Sequence, residues 1–170
     1  YAGKSMNVGL TLVQGDLVGF LDTKTIPDRN WLERYLNQIQ KGHSVVFGVT
    51  RYEGRTDFQR TLKAASYGEI GHQTVPGTVI KKEVIDRADG FLEKIRAAYD
   101  QEWKERIMKQ FPFTIPNEPS ITYEKLPNSI IKVLKKYLLY SFHHARVEVR
   151  VNLKQFYLSL ALLLSGVIVS

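Results

Sequence analysis

Gly15-Asp16-Leu17-Val18-Gly19-Phe20-Leu21-Asp22-Thr23-Lys24-Thr25-Ile26-Pro27 is the stretch on which the fold turns. Its apolar centre, Leu17–Leu21, is too short for a helix and is bounded by Gly15-Asp16 and Asp22. That pattern predicts a strand buried on both faces. Pro27-Asp28 then opens a helix that places Trp31, Leu32, Tyr35, Leu36 and Ile39 on one face and stops at Gly42. Upstream, Asn7–Gln14 is expected to end a helix before Gly15. Downstream, Ser44–Thr50 predicts a second buried strand, Thr56–Ile70 a helix and Gly77–Lys81 a third, short strand. Ile95, Tyr99, Trp103, Ile107 and Phe111 recur every fourth residue, so Leu92–Phe111 is expected to be helical over most of its length. Strands alternating with helices imply an α/β layered fold with a largely parallel sheet, whose ligands bind beyond the C-terminal ends of the strands.

The texture changes after Gln110. Pro112, Pro116, Pro119 and Pro127 predict an extended connector over residues 111–127. Asn128–Phe142 returns to helical spacing. Ile130, Ile131, Leu134, Tyr137, Leu138 and Ser141 are expected on one face, with Lys132, Lys135 and Lys136 towards the other. Such a helix suits a membrane interface, or equally a helix packed on the domain with snorkelling lysines. Residues 155–170 (QFYLSLALLLSGVIVS) carry no charge and follow Arg146, Arg150 and Lys154. This predicts the start of a transmembrane helix with its basic flank on the cytoplasmic side; a buried or interfacial helix is the alternative. The 170 residues thus divide into 1–110, the connector 111–127, an interfacial helix region over 128–150 and a membrane segment over 151–170.

Charge supports the division. The chain carries 24 Lys and Arg against 17 Asp and Glu, a net +7, and +4 of it lies in residues 111–170. A basic balance suits anionic partners, but aromatic and basic residues do not interleave as in RNA-binding signatures, so nucleic acid is not expected. Cysteine is absent, which excludes disulfide frameworks, thiolate zinc sites and thiol catalysis. The four histidines show no metal-ligand spacing, and there is no P-loop, dinucleotide fingerprint or Gly-x-Ser-x-Gly elbow.

Two carboxylates stand out. Asp22 ends the first strand, where it could meet a ribose hydroxyl or a divalent cation, or simply start a turn. Asp100, in Tyr99-Asp100-Gln101-Glu102-Trp103-Lys104-Glu105-Arg106, could act as a general base or belong to a charged helix face. Gly77-Thr78 and Gly90-Phe91 allow close backbone approach to a ligand, or make turns.

Taken in order, these segments resemble the second half of a family 2 glycosyltransferase of the GT-A fold, from about Gly3 to about Arg106. Gly3–Leu10 is similar to the family's helix with an Asn-x-Gly pattern, and Gly15–Pro27 to its strand and acidic DxD motif. Pro76–Ile80 resembles the strand and loop flanking the acceptor site. Gly90-Phe91-Leu92-Glu93 resembles the Gly-Gly-Phe-x-Glu turn, and Asp100–Arg106 the segment that contains the catalytic base. The resemblance implies a nucleotide-sugar donor, bound through Asp22 and Lys24, with Asp22 also the ligand of a Mg²⁺ or Mn²⁺ ion. It implies Asp100 as the base that gives inversion, and a saccharide or lipid-linked acceptor near Gly77, Thr78, Trp103 and Arg106. It also implies that the nucleotide-binding half precedes Tyr1, so the chain is expected to expose sheet surface and to be poorly stable and inactive alone.

Three positions depart from the family's pattern. Lys24 stands at the third DxD position, Tyr99 where Glu usually precedes the base, and Asp89 where the first Gly of the turn belongs. They leave open a metal-independent enzyme, or a catalytically impaired, membrane-tethered module that binds a nucleotide sugar or a lipid surface. The family pattern also breaks the long helix before Asp100, which as a good N-cap is expected to start a new one. The expectation for the whole is a membrane-associated transferase, its catalytic part on the cytoplasmic face, that builds polysaccharide or glycoconjugate.

Overall fold

A computed structural model describes residues 1–144, 146 and 147. They form one mixed sheet with helices on its faces. Helix α1 (Ala2–Thr11) leads to β1 (Leu17–Gly19) and β2 (Thr25–Pro27). Helix α2 (Trp31–Gln40), β3 (Val45–Tyr52), α3 (Asp57–Ser66) and β4 (His72–Lys81) follow. Then come α4 (Lys82–Arg87), α5 (Tyr99–Gln110), β5 (Phe113–Thr114), β6 (Ile121–Tyr123) and α6 (Ile130–His144).

The strand order is β1-β4-β3-β6-β2, with β5 also on β3. The expectation of a largely parallel sheet is corrected here. β1 with β4, β2 with β6 and β3 with β4 are antiparallel, and only β5 and β6 run parallel to β3. Alternation of strands and helices suggested crossovers, but α3 turns the chain back instead of carrying it across, so β4 returns beside β3. Its start is secured by a capping box, in which Thr56 Oγ1 accepts from Gln59 N and Gln59 Oε1 accepts from Thr56 N.

The first strand is also corrected. β1 pairs β4 alone among the described residues, and Leu17 is exposed, so β1 is not buried on both faces. A short apolar run cannot by itself distinguish an edge strand from a central one. The second buried strand agrees with expectation: Val45 to Thr50 are wholly buried in β3. Helix α2 buries Trp31 and Tyr35, while Leu32 stays exposed.

The Pro-rich stretch 111–127 is extended, and it supplies β5 and β6 to the same sheet. Both strands lie along β3, paired at its start and at its end respectively. Pro116 and Pro119 fall in the gap, where missing N–H donors break the ladder. Tyr35 Oη sits 2.7 Å from Ser120 Oγ, tying α2 to this segment.

The long helix expected over Leu92–Phe111 is shorter. Residues 92–98 are irregular and α5 begins at Tyr99. The break lies where the family pattern places it, but the N-cap is Ala98, not Asp100, and no side chain caps the helix. Ile95, Trp103, Ile107 and Phe111 are nonetheless all buried, because the irregular segment continues the same packed line.

Among the described residues no helix is long and apolar enough to cross a membrane. The transmembrane segment expected over 151–170 lies outside the described residues.

Candidate active site

Asp100 occupies the first turn of α5, and the backbone puts it there by force. Ala98 has φ +68°, the left-handed region, and is the one described non-glycine residue that does. Such a backbone costs roughly 1–3 kcal/mol and concentrates at functional sites. It turns the chain sharply enough for Asp100 to line a cavity of about 410 Å³, within the usual size range of small-molecule sites. Around it stand Arg96, Lys104 and Lys136, with His72, Thr74 and five tyrosines.

Asp22 is not among the residues that line this cavity. Its Oδ1 accepts from the Lys24 amide and the Thr23 hydroxyl, both at 3.2 Å, and the Thr25 amide and hydroxyl return to its carbonyl. This tight turn follows β1 and leaves the carboxylate exposed. Two phenols of the cavity feel both carboxylates. Burial pushes Tyr99 up to about 12, with further contributions from Asp100, Tyr140 and Asp22. Tyr140 is raised by burial, then by Asp100 and also by Asp22, against Arg96. Tyr99 and Tyr140 thus lie within electrostatic reach of both carboxylates, of which Asp100 lines the cavity.

Cations meet there as well. Burial lowers the Lys136 ammonium, and the Lys24 charge lowers it further. Burial also lowers Lys104, whose Nζ donates to the Gln73 carbonyl at 3.2 Å, while Asp100 and Glu105 pull it back up. Lys136, expected on the side of its helix opposite the apolar residues, lines the cavity. On α6 it is Ile130, Ile131, Leu134, Leu138 and Phe142 that point outward.

The other four expected site residues hold the fold. Thr78 is fully buried in an irregularity of β4, where its Oγ1 accepts from Gly48 N at 3.0 Å and donates to Thr74 O at 3.1 Å. Gly77 adopts φ +86° beside it, and its carbonyl accepts the Trp31 indole N–H at 2.8 Å. A Cβ at Gly77 would come within 2.4 Å of Ile121 Cγ1. Gly77→Ala is accordingly expected to cost about 1–3 kcal/mol, read as a lowered thermal midpoint. An acceptor contact without a structural role would leave that midpoint unmoved. Trp103 is 1% exposed and stacks on Phe91 with ring centroids 4.5 Å apart, so it offers an acceptor no surface. Arg106 pairs bidentately with Glu102, at 2.7 and 2.9 Å, and donates to the carbonyls of Asp89 and Gly90. It fastens α5 to the Gly90 turn rather than facing the cavity.

That turn is gripped from the other side too. Asn7 Nδ2 donates to Phe91 O, Asn7 Oδ1 accepts from Phe91 N at 2.7 Å, and Gly3 lets α1 approach Leu92 closely. Asn7, Phe91 and Arg106, distant in sequence, are thus one joint. Asp89 replaces a glycine here without strain, since its φ is negative.

The model of Glycosyl transferase family 2 matches residues 2–108. The chain belongs to this family. A comparison with curated proteins finds no match. The match ends inside α5, so β5, β6 and α6 lie beyond it, although β6 is internal to the sheet and α6 walls the Asp100 cavity. A glycosyl transferase of this family acts on a nucleotide-sugar donor and an acceptor.

The family also implies a divalent cation, and its fit can be judged from the donor set. Among the described residues no three His, Asp or Glu side chains gather closely enough to cage an ion. Asp22 is exposed, with Lys24 two residues on. The set fits only an ion bound mainly by phosphate oxygens and water with one protein carboxylate, as Mg²⁺ often is.

The cavity residues that the sequence did not single out for a site are Arg96, Lys104, Lys136 and the tyrosines other than Tyr99. Lys136 carried a signal, as a lysine on an amphipathic helix, but its direction could not be read without the partner surface.

Proposed function

We propose that the chain is the catalytic portion of a membrane-associated, inverting glycosyl transferase. The observation that carries this is Asp100, set at the start of α5 by the left-handed Ala98 and lining a basic cavity with Arg96, Lys104 and Lys136. In this reading Asp100 accepts the proton of the acceptor hydroxyl as its oxygen attacks the anomeric carbon. The bond from that carbon to the nucleoside diphosphate breaks on the opposite side, which inverts the centre. Lys24 and Lys136 receive the diphosphate, and an anion between them relieves their mutual repulsion. A Mg²⁺ or Mn²⁺ ion bound at Asp22 would neutralise part of the leaving group's charge.

Membrane association is supported by α6. Ile131, Leu134, Leu138 and Phe142 form an exposed stripe one to two turns apart, with exposed Lys132 and Lys135 beside it. That arrangement fits a helix lying among lipid headgroups, and with it a catalytic part on the cytoplasmic face and an acceptor in polysaccharide or glycoconjugate synthesis.

Donor binding tests the reading. UDP and GDP, titrated into the full-length protein with and without Mg²⁺ or Mn²⁺, are expected to bind, and Lys24→Ala to weaken binding about tenfold, as loss of one charge-assisted contact should. No binding of either diphosphate under any condition would overturn the proposal. Binding without any turnover of nucleotide sugars would favour the impaired-module alternative that Lys24, Tyr99 and Asp89 raise.

A further inference from the structure

Asn7 opens the Asn-x-Gly pattern of α1, and nothing in the proposed reaction uses it. Its side chain takes both backbone groups of Phe91. Nδ2 donates to Phe91 O at 2.9 Å, and Oδ1 accepts from Phe91 N at 2.7 Å. Nδ2 also donates to Glu93 Oε1 at 2.9 Å. On the other side Arg106 donates to the carbonyls of Asp89 and Gly90, so the turn is clamped between α1 and α5. Gly90 is required at this place, because a Cβ there would come within 2.6 Å of Asn7 Oδ1. The pattern's own glycine is not, since a Cβ on Gly9 would meet nothing within 4 Å. Nor does the seating of α1 need Asn7. Met6 and Leu10 pack that helix against the main apolar cluster, and Asn7 itself is only partly buried.

What the clamp fixes is the ring of Phe91. That ring is buried, stacks on Trp103 and meets Tyr99 edge-on at 6.1 Å between centroids. Tyr99 and Trp103 bracket Asp100 in the first turn of α5. Residues 92–98 form neither helix nor strand, so the rings rather than the intervening chain carry the turn's placement to α5. A general base works only within hydrogen-bond reach of its proton, and a displacement of about 1 Å can cost on the order of 10²-fold in rate. We propose that Asn7 is a positioning residue for Asp100: it fixes Phe91, and Phe91, through Tyr99 and Trp103, sets where α5 holds the carboxylate. The proposal rests on the transferase reading for the role of Asp100. It adds to that reading a residue on another helix, outside the lining of the Asp100 cavity.

Turnover of UDP-glucose, UDP-N-acetylglucosamine and GDP-mannose by the full-length protein tests this, read as UDP or GDP released with water in the acceptor's place. The parent is expected to turn over at least one of the three. Asn7→Ala is expected to lower kcat about ten- to a hundredfold and to leave the donor KM within about twofold. Its thermal midpoint should fall by only a few degrees, because Met6 and Leu10 still seat α1. Asn7→Asp keeps the acceptor for Phe91 N but loses both donated bonds, and its kcat should lie between. In an Asp100→Asn background, Asn7→Ala is expected to change kcat by less than about twofold, since the base that it places is gone. A residue that served stability alone would lower the midpoint and leave kcat unmoved. The proposal is overturned if Asn7→Ala turns over at the parental kcat, if the loss falls on donor KM instead, or if the losses of Asn7→Ala and Asp100→Asn multiply. Should Asn7→Ala not fold, Asn7→Asp is read in the same two backgrounds. A parent that turns over none of the three donors removes the transferase reading and this proposal with it. A parent that turns one over, with Asn7→Ala unaffected, removes the proposal alone.

Discussion

Asp100→Asn is expected to lower the rate of sugar transfer by about 10²–10⁴-fold, the contribution typical of a positioned general base. Asparagine has the same shape, and it keeps the carbonyl oxygen but cannot take a proton. Among the described residues the Asp100 side chain caps no helix, and the strained turn at Ala98 is a backbone feature that the substitution leaves alone. Donor binding and the unfolding midpoint are therefore expected to stay close to those of the parent. The measurement is a transfer assay on the full-length protein under saturating donor, with nucleotide affinity determined separately. A variant that transfers at the parental rate would remove Asp100 as the base. A variant that loses donor binding as well would place Asp100 in the donor site instead.

The largest stability effect is expected at Trp103. Its ring stacks on Phe91, meets Phe20 edge-on at 5.5 Å between centroids, and belongs to a buried cluster with Val45, Phe47, Ile80 and Ile107. The cluster joins α5, β3, β4, the residue after β1 and the Gly90 turn. Trp103→Ala would leave a cavity among rings that cannot collapse into it, at a cost of about 3–5 kcal/mol. In a chain of 170 residues that corresponds to a fall in thermal midpoint on the order of 10 °C. Trp103→Phe, which fills much of the space, should cost clearly less. The resemblance implied an acceptor role for this residue, and the two roles separate cleanly. An acceptor contact would raise the acceptor KM in a chain of normal stability, whereas a core residue lowers the midpoint first. The two predictions meet in α5, since Asp100 sits one turn before Trp103 on the helix that the tryptophan anchors. Loosening that anchor should also reduce transfer, as a consequence of lost positioning.

Much of the local structure was legible because it follows from short-range patterns. β3 is a continuous apolar run that ended up buried, and α2 shows its Trp31 and Tyr35 spacing in the sequence. The two carboxylates were also legible, because each belongs to a compact motif. Gly77, Thr78, Trp103 and Arg106 were seen as special for a sound reason, since their environments are unusual. Their use was not visible. A buried glycine at φ +86° and a buried threonine inside a strand irregularity carry the same sequence signal whether they hold a ligand or a sheet. The outward lysines of α6 show the same limit, for helical periodicity defines faces but not which face meets the domain.

The sequence by itself determined the family, the α/β class, the strand and helix that carry Asp22 and Asp100, and the break before α5. All of these rest on residues close together in the chain or on motifs in a set order. Only the tertiary structure decided the strand directions, because a helix between two strands can cross the sheet or turn back. It also decided that residues 111–127 belong inside the sheet, that Trp103 and Arg106 serve the fold, and that α6 brings Lys136, Tyr137 and Tyr140 to Asp100. Those outcomes depend on contacts between segments tens of residues apart, and no local pattern records them.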